Sequence, residues 1–347
     1  MAYDWNVMMN AEPILAGVEL GGTKVFVLRA RGRTIWGREI IPTTTPAETL
    51  SKAVAILQRW HAETSFAAIG IGSFGPLRLD RHAPDFGFML PTPKPGWAGA
   101  DIFGTLTAPF DCPAAIDTDV NGAALAELRW GAGAQADIPS DSLCYITIGT
   151  GVGGGFAFNG RPVHGAMHPE IGHIRVPRAP GDSFAGSCPF HGDCIEGLVS
   201  GPALARRFGV PGHEIDAADP RWNNVANDIA HLVSTILLST AARQVLIGGG
   251  VGMGRTDLLN RVREKVVAQL GGYLPHVDGD SIGRIVTAPL LGDQAGPLGA
   301  VALAMDALEG KGISARPADE KAAGRSSARS GRPRPRPADR PPADRGS

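Results

Sequence analysis

Residues 142–160, SLCYITIGTGVGGGFAFNG, carry the pattern that decides the fold. Apolar and β-branched residues on both sides of the glycines predict two strands, and the glycines predict a tight turn between them. Residues 14–32, ILAGVELGGTKVFVLRARG, repeat this pattern near the N-terminus. Each half of the chain is therefore expected to place a glycine turn at the edge of a cleft.

Helical patterns accompany the strands. Apolar residues at helical spacing predict helices over 46–63 and from about 120 to 130. The same spacing predicts helices over 224–243, 256–270 and 295–310. Strands followed by helices in two similar halves predict an α/β protein with two related domains.

Composition restricts the classes of function. The chain has 347 residues, 19% charged residues and a formal net charge of −1, which favours neither a nucleic-acid nor a membrane partner. No run approaches the roughly 18 apolar residues of a membrane span, and no secretory signal pattern opens the chain. Four cysteines are too few for a disulfide scaffold. We therefore expect a cytoplasmic protein. The basic, proline-rich residues 312–347 are predicted to be a disordered tail.

The first glycine turn offers hydrogen-bond donors to phosphate. Gly21, Gly22, Thr23 and Lys24 lie between two predicted strands, where exposed backbone N–H groups and a hydroxyl suit phosphate oxygens. Glu19 at the end of the preceding strand could hold Mg²⁺ through water. The spacing is not that of a Walker A loop. An ordinary hairpin turn explains the same pattern, so both interpretations stay open.

The second glycine turn contains Gly149, Thr150, Gly151 and Gly153, and Gly149, Gly151 and Gly154 formally match G-x-G-x-x-G. A dinucleotide site needs a helix directly after such a turn, whereas a strand is predicted here. A second phosphate-binding turn, with Thr150 as a side-chain donor, fits better. A glycine hairpin without a ligand is the alternative.

A third glycine turn, with Gly249 and Gly250, follows the predicted strand at 244–247. Its bare backbone would let an adenine or ribose approach closely. A strand-to-helix turn without a ligand is the alternative.

Asp119 is predicted at the N-cap of a helix that follows a strand. An Asp N-cap is a common structural device. In phosphoryl transfer to an alcohol, however, a carboxylate accepts the hydroxyl proton. Asp119 could do this while Asn121 holds an adjacent hydroxyl. Asp117, inside the strand, is a weaker competitor.

Four residues have the spacing of a metal site: His173, Cys188, His191 and Cys194. Two sulfur and two nitrogen ligands form a standard tetrahedral structural zinc set, which would brace the loop-rich insert at about 160–196. Solvated histidines and small buried cysteines are the alternative.

Two glutamates accompany the predicted metal site. Glu170 and Glu196 lie on the same insert, where they could accept hydrogen bonds from vicinal sugar hydroxyls. A surface position without a ligand explains them equally well.

In this order, the motifs resemble the ROK family of bacterial sugar kinases, repressors and open reading frames, and within it most of all the fructokinase branch. The matching segments are ELGGTK (19–24), DTDVNGAA (117–124), IGTGVGGG (148–155), HPEIGH (168–173), CPFHGDCIE (188–196), IGGGV (247–251) and LGDQAGPLGA (291–300). Similarity to the fructokinase branch comes from GSFGPL (72–77), TPKPGW (92–97) and the position of His191.

The resemblance implies an actin-like, hexokinase-type (ribonuclease H-like) duplicated α/β fold with two domains around a cleft. We expect a small N-terminal domain over 1–118 plus about 290–311, and a large domain over 119–289. The first two glycine turns correspond to the family's phosphate loops and the third to its adenosine loop. ATP, Mg²⁺ and a structural Zn²⁺ are the implied cofactors, and a homodimer is the implied assembly.

The resemblance also implies roles for single residues. Asp119 matches the catalytic base, and Asn121, Glu170, His173 and Glu196 match the sugar-contacting positions. The implied reaction is phosphorylation of D-fructose to fructose 6-phosphate. Mannose, glucose or N-acetylmannosamine as substrate, and a non-catalytic sugar sensor, are the alternatives.

Two positions depart from the family's usual pattern. Glu19 stands where the first loop usually has Asp, and His191 takes the place of a Cys. The longer Glu19 side chain should still reach a hydrated Mg²⁺.

Overall fold

The N-terminal hairpin belongs to a five-stranded mixed sheet. The computed structural model describes residues 12–135, 139–254 and 256–312. The strands of the first sheet are β1 (Ile14–Leu20), β2 (Lys24–Arg31), β3 (Thr34–Pro42), β4 (Ala68–Ser73) and β5 (Ala114–Thr118). Their order is β3-β2-β1-β4-β5. β1 pairs antiparallel with β2 and parallel with β4.

The second hairpin begins a second sheet with the same arrangement. Its strands are β6 (Ser142–Ile148), β7 (Val152–Phe158), β8 (Arg161–Pro162), β9 (Gln244–Gly248) and β10 (Val286–Thr287). Their order is β10-β9-β6-β7-β8. β6 pairs antiparallel with β7 and parallel with β9, as β1 does with β2 and β4. This repetition is the duplication that the two glycine hairpins predict.

Among the described residues, the five longest helices lie close to where the apolar spacing predicts them, and the shorter helices are additional to that prediction. Their bounds are α1 (Pro46–Glu63), α2 (Ile102–Thr107), α3 (Asp119–Trp130), α4 (Ile195–Val199), α5 (Gly201–Phe208), α6 (Trp222–Thr240), α7 (Gly249–Met253), α8 (Thr256–Leu270), α9 (Ile282–Ile285) and α10 (Ala295–Leu308). α1 shows why they form. The Thr45 hydroxyl accepts a hydrogen bond from the backbone N–H of Glu48, Pro46 occupies the first turn, and Leu57 and Trp60 are buried.

Each sheet has its own apolar core. Val18, Ile71 and Trp97 lie in the core of the first sheet, whereas Ile146 and Val245 lie in that of the second. Separate cores are consistent with two domains, whose boundaries stay a prediction. Beyond Gly312, the predicted tail lies outside the described residues. Within the described ranges, no helix combines the length and the apolar character needed to cross a bilayer.

Glycines let α3 begin directly on the second sheet. A Cβ atom on Gly155 of β7 would lie 2.0 Å from the carbonyl oxygen of Val120 and 2.5 Å from the nitrogen of Asn121. A Cβ atom on Gly153 would lie 3.1 Å from the Val120 side chain. Any side chain at Gly155 would therefore displace the first turn of α3.

Small residues also let α10 pack closely against α3 and the first sheet. A Cβ atom on Gly299 would lie 2.4 Å from the carbonyl carbon of Gly122 in α3. A Cβ atom on Gly70 of β4 would lie 2.0 Å from the carbonyl oxygen of Ala300. Together, α3 and α10 form a tightly packed pair beside the two sheets.

Gly155→Ala tests this packing. The added methyl group should lower the free energy of unfolding by about 1–3 kcal/mol, because the α3 backbone must move to admit it. Thermal unfolding followed by circular dichroism measures the effect. Gly165→Ala is the matched control, since nothing lies within 4 Å of the added Cβ atom there. Equal melting temperatures for the two variants would contradict the packing account.

Candidate active site

Asp119 is the first residue of α3 and lies at the carboxyl end of β5. The N-cap is Thr118, which has an extended backbone and whose hydroxyl oxygen accepts the N–H of Asn121 at 3.2 Å. The prediction that Asp119 itself is the N-cap is therefore wrong by one residue. Thr118 already caps the helix, and the carboxylate of Asp119 accepts the N–H of its neighbour Val120 at 2.9 Å.

Burial changes the proton affinity of Asp119. It raises the pKa of Asp119 to about 6, against the opposing effect of the hydrogen bond from Val120. Asp119 is therefore mostly ionised at neutral pH but accepts a proton more readily than an ordinary aspartate. A carboxylate with these properties suits general-base chemistry.

Asn121 ties the two sheets together beneath Asp119. Its side chain is fully buried; Nδ2 donates to Oδ1 of Asp117 on β5 at 2.8 Å, and Oδ1 accepts the N–H of Phe156 on β7 at 3.1 Å. His164 Nε2 lies 3.0 Å from the other oxygen of Asp117. The described contacts of Asn121 are structural, and its sugar contact stays a prediction.

The first glycine turn is a hairpin with open backbone groups. Gly21 N–H donates to the carbonyl of Lys24 at 3.1 Å, and Thr43 binds the carbonyls of Gly21 and Thr23 at 2.7 and 3.0 Å. Gly22, Thr23 and Lys24 are exposed. The turn thus offers its outer face to a ligand, as a phosphate loop requires.

The surroundings of Glu19 are those of a carboxylate that could bind a hydrated cation. Its Oε2 atom is buried and has no hydrogen-bond partner among the described residues. Burial and the negative charge of Asp119 raise the pKa of Glu19 to about 8, although Lys24 and Arg38 act in the opposite direction. A Cβ atom on Gly296 would lie 2.2 Å from its Oε1 atom, so the carboxyl group packs against the first turn of α10. These residues fit a hydrated Mg²⁺, which would supply the missing positive partner.

The second and third glycine turns lie side by side. Gly149 N–H donates to the carbonyl of Gly151 at 2.9 Å, and Thr150 is exposed at the tip. Gly249 has a positive φ of 80°, and a Cβ atom on it would lie 2.4 Å from the carbonyl oxygen of Ile148. Gly250 follows it inside α7, so the third turn connects a strand to a helix.

The predicted sugar-binding glutamates face the same region as Asp119. Burial and the negative charges of Glu196 and Asp119 raise the pKa of Glu170 to about 7. Glu196 Oε2 accepts the N–H of Val152, directly after the second glycine turn, at 3.1 Å. The structure thus brings the glycine turn, both glutamates and Asp119 into one acidic site.

His168 is a residue whose role the sequence does not reveal. It is buried rather than solvated, with 6% of its surface exposed. The N–H of Leu77 donates to its Nε2 atom at 3.0 Å, which leaves the proton on Nδ1, and Nδ1 lies 3.4 Å from Oε1 of Glu170. His168 therefore orients Glu170 and connects it to the segment after β4. Its position two residues before Glu170 is the available sequence signal.

The four predicted zinc ligands meet in space. The ligand atoms of His173, Cys188, His191 and Cys194 all lie within 4.8 Å of one another. Cys188 Sγ is 3.8 Å from Nδ1 of both His173 and His191, and Cys194 Sγ is 3.6 Å from Nδ1 of His173. A tetrahedral zinc ion separates its sulfur and nitrogen ligands by about 3.5 Å. The cluster therefore fits Zn²⁺.

Residues 15–307 match the profile of the ROK family. The chain belongs to the ROK family. A fructokinase of Zymomonas mobilis subsp. mobilis is 41% identical over 306 residues, covering 86% of this chain and 99% of that protein. A fructokinase of Pediococcus pentosaceus is 38% identical over 299 residues, which cover 85% of this chain and 99% of that protein. The crystal structure of a ROK hexokinase from Thermus thermophilus is similar, with a TM-score of 0.68 and 26% sequence identity. The match covers 86% of this chain and 99% of that one.

These matches confirm the predicted ROK membership and the hexokinase-type fold. In this ROK protein, one site collects the predicted base, the first two glycine turns and the two glutamates that are predicted to contact the sugar. Gly153 is the exception among the predicted nucleotide contacts, since it packs against Val120 of α3. The ligand contacts of all these residues stay predictions.

Proposed function

We propose that this ROK protein transfers the γ-phosphate of ATP to O6 of D-fructose and forms fructose 6-phosphate. The observation that carries the proposal is the position of Asp119. Its Cα atom lies 3.6 Å from where a Cβ atom on Gly72 would be, and Gly72 pairs with Glu19 in the sheet. The charge of Asp119 raises the pKa of both Glu19 and Glu170, so it is close to the residue suited to a hydrated cation and to the residue suited to a sugar. The two fructokinases that this chain matches over nearly their full length support fructose as the sugar.

The proposed mechanism uses Asp119 as the general base. Asp119 accepts the proton of the fructose O6 hydroxyl, O6 forms a bond to the γ-phosphorus, and ADP leaves with the electron pair of the broken P–O bond. Glu170 and Glu196 accept hydrogen bonds from other hydroxyls and so orient O6. Mg²⁺ associated with Glu19 would neutralise phosphate charge when it is bound.

The two separate cores support a closing motion around the substrates. Each sheet has its own apolar core, and α3 and α10 pack against each other between the two sheets. We propose that closure excludes water, so that fructose rather than water receives the phosphoryl group.

We also propose a structural Zn²⁺ held by His173, Cys188, His191 and Cys194. Nδ1 of His173 faces both cysteines, which leaves its Nε2 atom available to a sugar hydroxyl. The metal would hold the insert that carries Glu170 in place. The proposal also includes a cytoplasmic location and a homodimeric assembly. The proposed partners are the sugar and ATP, and neither a nucleic acid nor a membrane.

Asp119→Asn tests the proposed base. The amide keeps the size of the side chain and its contact with Val120 N–H, but it accepts no proton. We expect kcat to fall by about 10²–10⁴-fold, as loss of a general base predicts. Fructose affinity, measured by calorimetry, should change little. Asp111→Asn, at an exposed position, is the control. Substantial kinase activity in Asp119→Asn would refute the assignment.

Cys188→Ser tests the proposed zinc site. Elemental analysis of the wild-type protein should find about one zinc per chain, because four ligands form one closed site. The variant should lose zinc, melt at a lower temperature and show a raised KM for fructose. Cys112→Ser is the control, since Cys112 lies outside the cluster. A metal-free wild-type protein, or full zinc content in Cys188→Ser, would rule out the site.

A further inference from the structure

Lys94 brings a positive charge to the first glycine turn. Its Nζ atom donates to the carbonyl oxygen of Gly22 at 2.6 Å. Across the described ranges of the chain, no carboxylate forms an ion pair with Lys94. The ammonium group therefore stands beside the proposed phosphate loop with a backbone carbonyl as its partner, although a lysine pairs more strongly with an anion.

The segment around Lys94 is held at both ends. Trp97 is fully buried, and its indole N–H donates to the carbonyl of Thr44 at 2.9 Å. On the other side, the Thr92 hydroxyl donates to the carbonyl of Gly75 at 3.4 Å. These contacts fix the backbone on either side of Lys94 without using its charge. The fold thus places the backbone of Lys94 near the first glycine turn, within reach of the Gly22 carbonyl.

The other lysine of the first turn is placed differently. The Nζ atom of Lys24 lies 4.8 Å from the ring centre of Phe26, on the strand that leaves the turn. A cation over an aromatic ring already has a favourable partner. Of these two lysines, Lys94 is therefore the one whose charge is directed at the backbone of Gly22.

The chemistry of the site requires such a cation. Burial raises the pKa of both Glu19 and Asp119, and the negative charge of Asp119 raises that of Glu19 further, so the carboxylates near the proposed phosphate loop disfavour additional negative charge. The triphosphate of ATP adds further negative charge. Positive groups aimed at the transferred phosphoryl oxygens are a main source of catalysis in phosphoryl transfer.

We propose that Lys94 is a catalytic residue that contacts the γ-phosphoryl group of bound ATP. Its ammonium group exchanges the Gly22 carbonyl for a γ-phosphoryl oxygen when ATP binds, and it stays on that group while O6 of the sugar replaces the bridging oxygen of ADP. The proton of O6 goes to Asp119, and ADP leaves with the electron pair of the broken bond. This inference rests on the proposed kinase function.

Three variants test the role of Lys94. Lys94→Met removes the charge, Lys94→Arg keeps it, and Lys52→Met is the matched control on α1, where Lys52 pairs with exposed Glu48 at 2.6 Å. Each protein is assayed for kcat and for KM of fructose. Calorimetry then measures the affinities of Mg-ATP, Mg-ADP and adenosine, and thermal unfolding measures stability.

We expect Lys94→Met to lose about 10²-fold in kcat, the effect of removing one donor at a developing charge. It should bind Mg-ATP more weakly relative to Mg-ADP, bind adenosine as the wild type does, and melt at the wild-type temperature. Lys94→Arg should recover most of the activity, since the charge is retained. Lys52→Met should match the wild type.

Two results would overturn the proposal. One is an unchanged kcat and ATP preference in Lys94→Met. The other is an equal loss of affinity for Mg-ATP, Mg-ADP and adenosine, which would mean that Lys94 only supports the conformation of the first glycine turn. If the wild-type protein phosphorylates no sugar, the proposed function fails, whereas the binding of ATP relative to ADP still decides the role of Lys94.

Discussion

The close contact between β7 and the first turn of α3 is the constraint on which the candidate active site depends. Gly155 has no side chain, so the backbone of Val120 approaches the strand far more closely than a Cβ atom would allow. This approach lets Asn121 bind both Asp117 and the backbone of β7. Asp119, two residues earlier, is consequently held at the junction of the two sheets. The position of the proposed base thus follows from a glycine on a different element.

The electrostatics of the site follow from the same placement. Burial raises the pKa of Asp119, Glu19 and Glu170, and the negative charge of Asp119 adds to the effect on Glu19 and Glu170. Buried acidic groups carry an electrostatic cost, which a cation or sugar hydroxyls bound beside them would reduce. The burial that would make Asp119 a stronger proton acceptor also favours the cations proposed for this site, Mg²⁺ and the ammonium group of Lys94.

Local patterns in the sequence were sufficient for much of this structure. The glycine hairpins, α1 and the ligand spacing around Cys188 all concern residues close in the chain. The N-cap was misplaced by one residue because Thr118 and Asp119 are both good capping residues. The sequence does not reveal the packing role of Gly155. A glycine that lets a helix backbone pack closely against a strand has the same sequence pattern as a glycine that lets a phosphate approach the backbone. His168 and Lys94 were missed because their partners lie 91 and 72 residues away.

The most direct test of the account is kcat/KM with ATP for fructose, mannose, glucose and N-acetylmannosamine, with the product identified by phosphorus NMR. Specificity is a difference in transition-state binding, so this ratio compares the sugars on the relevant scale. The account predicts the highest value for fructose, with fructose 6-phosphate as the product. A higher value for another hexose would contradict the substrate assignment, and absence of any phosphorylated sugar would contradict the kinase itself.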